Sequence, residues 1–252
     1  MKHAIIPLFI PHWGCPHQCV FCNQVRITGR STSVTAQDIE KIIREYVPVR
    51  DDSRYWEAAF YGGSFTALPV KVMEELLKPA KQALDEGRIR AIRLSTRPDC
   101  ITPEILRLLK RYGVKTVELG VQSLDPQVLK KAERGHTAED ARQAAALLRQ
   151  NDFSVGLQFM IGLPGEDWKS MRYTARQGVR LKPDFIRIYP VLVLEGTVLG
   201  QMYRAGTYRP IRLEEAVCKA AFMKRWYNHH GMGVIRVGLQ ATDELDTGHS
   251  LL

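Results

Sequence analysis

Apolar residues fall in short blocks along the chain, and the blocks alternate between two periods. Residues 4–10 are continuously apolar, as expected for a strand covered on both faces in a parallel sheet. Thr35 and Asp38 read as a helix start, and Ile39, Ile42, Ile43 and Tyr46 follow at i, i+3, i+4 and i+7. A second strand at residues 58–61 ends in Gly62 and Gly63, backed by a helix with the stripe Met73, Leu76, Leu77, Ala80 and Leu84. Residues 89–94 predict a third strand. In the helix after it Thr102 caps, Pro103 takes the first position, Ile105, Leu108, Leu109 and Tyr112 face inward, and Gly113 closes. Strands at residues 116–121, 154–161 and 184–193 continue the series, with helices opening at Asp125 and Thr137, another carrying Trp168, Met171, Ala175 and Val179, and one over residues 214–228.

Strands joined by helical crossovers run parallel, and right-handed crossovers curl such a sheet toward a barrel. The expected fold is α/β: a partial (β/α)6 TIM-type barrel of parallel strands, extended by a seventh C-terminal strand at residues 234–239. No linker rich in Gly, Ser or Pro divides the 252 residues, so residues 1–240 read as one core domain and 241–252 as a polar tail.

Candidate chemistry concentrates directly after the first strand. Cys15, Cys19 and Cys22, three of the five cysteines, stand at C-x3-C-x2-C spacing. Soft thiolates converging on one short loop suit an iron–sulfur cluster; a cubane takes four ligands, so three cysteines leave one iron open. The other reading is a closed zinc site completed by His12 or His17. Cys100 and Cys218 are isolated and read as structural, so a disulfide framework has no support. Further marked residues also follow strand ends: Gly62, Gly63 and Ser64, then Ser95 to Arg97, then Gln122, then Gly162 to Gly165. Sites of parallel α/β folds are built at that end. Such a shared rim speaks against zinc, because a closed knuckle has no use for the other loops.

Charge changes the picture of the partner. The 36 basic and 27 acidic residues leave a net charge of +9, which favours an anionic partner, nucleic acid or a phosphorylated substrate. No apolar run approaches the roughly 20 residues of a membrane helix. The N-terminal apolar stretch is short and contains Pro7, so it reads as a buried strand and not as a signal peptide. A reducing, cytoplasmic setting is the expectation.

With Phe21 just before the third cysteine, the loop resembles that of the radical S-adenosylmethionine superfamily. The words Tyr61-Gly62-Gly63-Ser64-Phe65-Thr66, Ser95-Thr96-Arg97-Pro98-Asp99, Gly120-Val121-Gln122-Ser123 and Gly162-Leu163-Pro164-Gly165 are similar to one branch of it. That branch holds the catalytic subunit of Elongator and its shorter bacterial relatives, with oxygen-independent coproporphyrinogen oxidases as cousins. The resemblance implies a [4Fe-4S] cluster on Cys15, Cys19 and Cys22, whose open iron binds the amino and carboxylate groups of S-adenosylmethionine. It also implies reductive cleavage to a 5′-deoxyadenosyl radical for C–H activation, driven by a flavodoxin- or ferredoxin-type donor.

Residue by residue, the resemblance assigns Phe21 to the neighbourhood of the adenine, and Gly62 and Gly63 to backbone carbonyls facing the methionine amino group. Ser64 stands where the commonest family word has Glu, which removes a carboxylate contact to that group. Ser95 stands where this branch tends to have Glu on the ribose, and its hydroxyl can still bond there. Gln122 is a second ribose candidate. Arg134, within Lys131-Ala132-Glu133-Arg134-Gly135-His136, matches the arginine that pairs with the cosubstrate carboxylate. Met160 and Ile161 are expected to pack on the adenine, and Arg97 to neutralise an anionic group. The implied substrate is a tRNA uridine. An acetyltransferase domain such as Elongator's does not fit after Gln240, so the expectation is a different substrate or a relative or fragment whose remainder lies downstream. A non-enzymatic iron–sulfur or zinc-stabilised RNA-binding module stays open as the competing reading.

Overall fold

The computed structural model describes residues 2–10, 15–23 and 34–239. Its strands are β1 (Lys2–Ile10), β2 (Arg54–Gly62), β3 (Ala91–Thr96), β4 (Val114–Gln122), β5 (Ser154–Ile161), β6 (Phe185–Pro190) and β7 (Gly233–Val237). The described helices are α1 (Ala36–Tyr46), α2 (Val70–Asp85), α3 (Pro103–Arg111), α4 (Pro126–Lys131), α5 (Ala138–Gln150), α6 (Trp168–Arg180), α7 (Val198–Arg204) and α8 (Leu213–His229). The strands form one sheet in the order of the sequence, every neighbour parallel. This is the expected partial barrel with its seventh strand. The expected tail, residues 241–252, and His12 lie outside the described residues.

Helix starts follow the local chemistry. Thr35 and Asp38 form a reciprocal capping box on α1, and Thr137 and Asp140 form another on α5. Thr102 accepts from the Ile105 amide with Pro103 behind it, and Asp125 accepts from Gln127 and Val128 with Pro126 behind it. Two differences from expectation have local causes. The sixth strand ends at Pro190, whose ring nitrogen has no proton for the ladder. Helix α7, capped by Thr197, was not expected, because a helix of 7 residues is too short to display a period.

From β2 to β6 the strands have two unlike faces. Ile6, Leu8, Phe60, Leu94, Val117, Leu157, Phe159 and Ile188 turn to the helices and pack with Ile39, Ile43, Met73 and Leu77 in the main core. The concave face is polar: Ser95 stands beside Glu118, Gly120 beside Gln158, and Gln158 beside Arg187. Buried ion pairs of alternating sign cross its floor, Glu57–Arg93 at 2.6 Å, Arg93–Glu118 at 3.1 Å and Glu118–Arg187 at 2.7 Å. Single charged residues inside otherwise apolar strands, Arg93 and Glu118 among them, mark this face in the sequence. Their partners lie in other strands and become visible only when the sheet curls.

A second, smaller core lies at the rim. Val20 joins Val128, Ala132, Leu163, Leu199 and Tyr208 there, with Phe21 and Met160 packed against them.

Candidate active site

The cysteine loop is held by backbone bonds to distant elements. The Val20 amide donates to the carbonyl of Ala132 at 3.2 Å, and the Val20 carbonyl accepts from Leu199 at 2.7 Å. Helices α4 and α7 thereby clamp the loop between Cys19 and Cys22, and the Cys22 amide bonds back to Cys19 at 3.0 Å.

Beside the loop lies a cavity of about 500 Å³. Its wall carries Cys15, Cys19, Cys22 and Phe21 from the loop, Gly62 and Gly63 at the end of β2, Ser95 and Arg97 at the end of β3, Gln122 from β4 and Arg134 after α4. Ten residues that the sequence singles out thus converge from five parts of the chain. Gly62 is required where it stands: its φ is 108°, and a Cβ there would meet the carbonyl oxygen of Ile10. The Gly63 amide donates to that same oxygen at 2.9 Å, which ties the end of β2 to the end of β1.

Three expected contacts fall elsewhere. Ser64 is buried off the cavity wall; its Oγ lies 3.0 Å from Thr96 Oγ1 and accepts from the Arg97 amide at 3.2 Å. Its hydroxyl braces the β3 end. Ile161 belongs to the helix face of β5 and to the main core, because side chains alternate along a strand and Phe159 fixes which parity is buried. Met160 shares the concave parity of Gln158, yet it packs on the second core and does not reach the cavity wall.

Gln158 was not foreseen. It lines the cavity and donates from Nε2 to Ser95 Oγ at 3.2 Å and to Glu118 at 3.0 Å, joining the wall to the charged floor. A lone amide in the apolar run of β5 was the signal available. Burial and the Glu118 carboxylate push the Tyr61 hydroxyl on that floor up to about 12.

Two arginines dominate the wall. Arg134 is buried and uses its whole fork: Nη1 donates to Cys19 Sγ at 2.9 Å, Nη2 to the Gly120 carbonyl at 2.5 Å, and Nε to His136 Nε2 at 3.3 Å. Arg97 pairs with Asp99 at 3.0 Å and donates from Nη2 to the Arg134 carbonyl at 2.6 Å. Burial and the Arg134 charge hold His136 neutral, its pKa lowered to about 4. Cys15 is exposed as a residue, yet its thiol is pushed up, first by withdrawal from water and then by Cys19, with Arg97 and Arg134 opposing.

The wall fits a ligand that is charged at one end and hydroxylated along its length. Arg97 Nη1 and Gln122 Oε1 are buried without a hydrogen-bond partner among the described residues, and buried polar groups are ordinarily paired. Gln122 is also held at φ 65°, at a register shift in β4, a backbone region that non-glycine residues rarely enter. No three His, Cys, Asp or Glu side chains among the described residues converge on a single ion.

Residues 10–177 match the Radical SAM superfamily, and residues 183–250 match the Radical SAM C-terminal domain. The chain belongs to the radical SAM superfamily. It is a radical S-adenosylmethionine enzyme, and the cofactors of this family are a [4Fe-4S] cluster and S-adenosylmethionine. The tRNA uridine(34) acetyltransferase of Methanocaldococcus jannaschii is 35% identical over 255 residues, an alignment covering 85% of this chain and 47% of the relative. Protein YhcC of Escherichia coli K12 is 26% identical, with 84% of this chain and 71% of that protein covered. Among solved structures, an N-terminally shortened Methanocaldococcus infernus Elp3 superposes with a TM-score of 0.71 at 22% identity, over 98% of this chain and 62% of that one. Escherichia coli coproporphyrinogen III oxidase gives 0.65 at 16%, over 91% and 53%. These likenesses support the fold. The radical SAM chain spans about half the length of the first of these relatives. Among its described residues no helix is long and apolar enough to cross a membrane.

Proposed function

We propose that this radical SAM enzyme activates a C–H bond of a tRNA nucleoside, and that the cavity beside the cysteine loop is its cofactor site. The observation that carries the site is the convergence of three cysteines and two unpartnered polar atoms, Arg97 Nη1 and Gln122 Oε1, on one wall. The net charge of +9 and the 35% identical relative named for tRNA uridine(34) support the substrate.

In this reading Cys15, Cys19 and Cys22 hold the cluster. Arg97, with Arg134 behind it, receives the carboxylate of the cosubstrate; Gly62 and Gly63 form the ledge for its amino group. Ser95 and Gln122 bond the ribose, and Phe21 flanks the adenine. Ser64 acts at one remove, holding Thr96 and Arg97 in register. When bound, the cluster and S-adenosylmethionine supply a 5′-deoxyadenosyl radical that abstracts hydrogen from an unactivated carbon. A flavodoxin- or ferredoxin-type protein is the electron donor, in a reducing cytoplasm that keeps thiolate ligands from oxidation. The proposal is confined to the radical step, since the chain covers 47% of the acetyltransferase relative.

The test is anaerobic reconstitution with iron, sulfide, reductant and S-adenosylmethionine, read by chromatography for 5′-deoxyadenosine with and without an unmodified tRNA transcript. RNA is expected to raise the yield several-fold and to gain a modified nucleoside. Yield indifferent to RNA rejects the substrate, and no 5′-deoxyadenosine from fully loaded protein rejects the site.

A further inference from the structure

The word Gly162-Leu163-Pro164-Gly165 lines a second cavity, of about 670 Å³, and is absent from the wall of the cofactor site. This groove lies against the small rim core: Tyr208 belongs to that core with Val20, lines the groove, and donates from its hydroxyl to the Gly162 carbonyl at 2.6 Å. The cofactor cavity and the groove therefore flank one small core.

The groove is electropositive. Both of its carboxylates are engaged by one buried lysine: Lys219 Nζ lies 3.1 Å from Glu166 and 3.2 Å from Glu215. Glu166 also accepts from the Gly162 amide at 2.9 Å. Lys131, Arg209 and Arg212 on its wall are exposed and have no ion-pair partner among the described residues, so their charge is uncompensated there. Arg212 is also the N-cap residue of α8, a helix of 17 residues whose first amides have no side-chain cap. The glycines keep this space open. Both have positive φ, and a Cβ at Gly165 would come within 2.9 Å of the Lys131 ammonium, while one at Gly162 would meet Ile211 at 2.7 Å.

We infer that this groove is a phosphate-binding site, which grips a phosphate of the substrate beside the cofactor cavity. Planar guanidinium forks on Arg209 and Arg212 bind phosphate oxygens bidentately, and Lys131 adds a point charge across Gly165. The volume lies within the range of small-ligand sites, enough for a phosphate with its sugar. The phosphate comes from an RNA backbone or from a phosphorylated small molecule. The first source rests on the tRNA reading above; the groove itself does not.

Two probes separate these outcomes, both used on anaerobic holoenzyme. A labelled unmodified tRNA transcript is titrated by fluorescence anisotropy from 50 to 200 mM salt, and inorganic tripolyphosphate by calorimetry. Arg209→Gln and Arg212→Gln should each weaken tRNA binding about 3- to 10-fold and lower the slope of log affinity against log salt by about 0.9, whereas Arg107→Gln on the outer face of α3 should change neither. Lys131→Gln serves as a third, independent groove variant. If wild type ignores tRNA but binds tripolyphosphate, and the Arg209→Gln/Arg212→Gln protein loses that binding about 10-fold or more, the groove stands and the RNA reading falls. Groove variants that match wild type for every probe wild type binds overturn the inference, as does a wild type that binds neither probe.

Discussion

Arg134 Nη1 donates a hydrogen bond to the Sγ of Cys19 at 2.9 Å, across 115 residues of chain. The same guanidinium reaches the Gly120 carbonyl and His136, so one side chain links the cysteine loop, the end of β4 and the segment after α4. A charge-assisted bond contributes about 1.5–3 kcal/mol, so Arg97→Ala should weaken S-adenosylmethionine binding roughly 10- to 100-fold, and Arg134→Ala should weaken it indirectly, by releasing Cys19 and the Arg97 side chain that its carbonyl holds. Equilibrium dialysis on reconstituted protein with full iron content measures it. Affinity unchanged in both variants would move the carboxylate contact off this wall.

Replacing any one of Cys15, Cys19 and Cys22 by Ala should abolish 5′-deoxyadenosine formation, and Cys100→Ala or Cys218→Ala should preserve it. Cys218 is exposed on α8, and Cys100 is outside the cavity wall. Iron and zinc analysis of anaerobically purified protein checks the ligand set at the same time. One zinc and no iron would contradict the cluster assignment.

Gly120→Ala tests how tightly the wall is packed. A Cβ there would stand 3.1 Å from Gln122 Nε2 and 3.6 Å from Arg134 Nη2. The Thr96 carbonyl, at 3.5 Å, is at ordinary contact distance, and the tight neighbour is a side-chain end, so the fold should survive while the wall shifts by a few tenths of an ångström. The expected result is a melting temperature near that of wild type with S-adenosylmethionine binding weakened several-fold. A variant that melts early but binds normally would place the role of Gly120 in stability.

Glu118 is 0% exposed and holds Arg93, Arg187 and Gln158 together. Removing it leaves Arg187 without a carboxylate and Arg93 with Glu57 alone, and breaking a buried ion pair costs about 3–5 kcal/mol. Glu118→Ala should therefore show a large drop in urea midpoint, beyond that of Glu139→Ala on the exposed face of α5. Equal midpoints would mean that the floor relaxes or admits water.

His136 sets a pH window for stability. Its folded pKa of about 4 lies below the ordinary 6.5, so the unfolded chain binds more protons between those values. The contribution is complete above about 6.5 and is lost as pH falls toward 4, on the order of 3 kcal/mol at most. Urea unfolding of cluster-free protein from pH 7 to 4.5 should show a fall in stability that His136→Gln flattens. A parallel fall in that variant would assign the effect to other groups.

The sequence by itself determined the alternation of strands and helices, because each element is signalled within a few residues: the continuous apolar run of β1, the Thr35–Asp38 and Thr137–Asp140 boxes, and Pro103 behind Thr102. The cysteine spacing was equally local. Only the tertiary structure decided which side chains meet. Whether Met160 or Ile161 faces inward depends on which side of β5 the helices cover, and the burial of the Ser64 hydroxyl depends on Thr96 in another strand. Leu199 gives no sign in the sequence that it holds Val20, 179 residues away, at 2.7 Å. Local conformational preference is written in neighbouring residues, whereas a cavity is a set of contacts between residues far apart in the chain, selected when parallel strands take their register and the sheet curls.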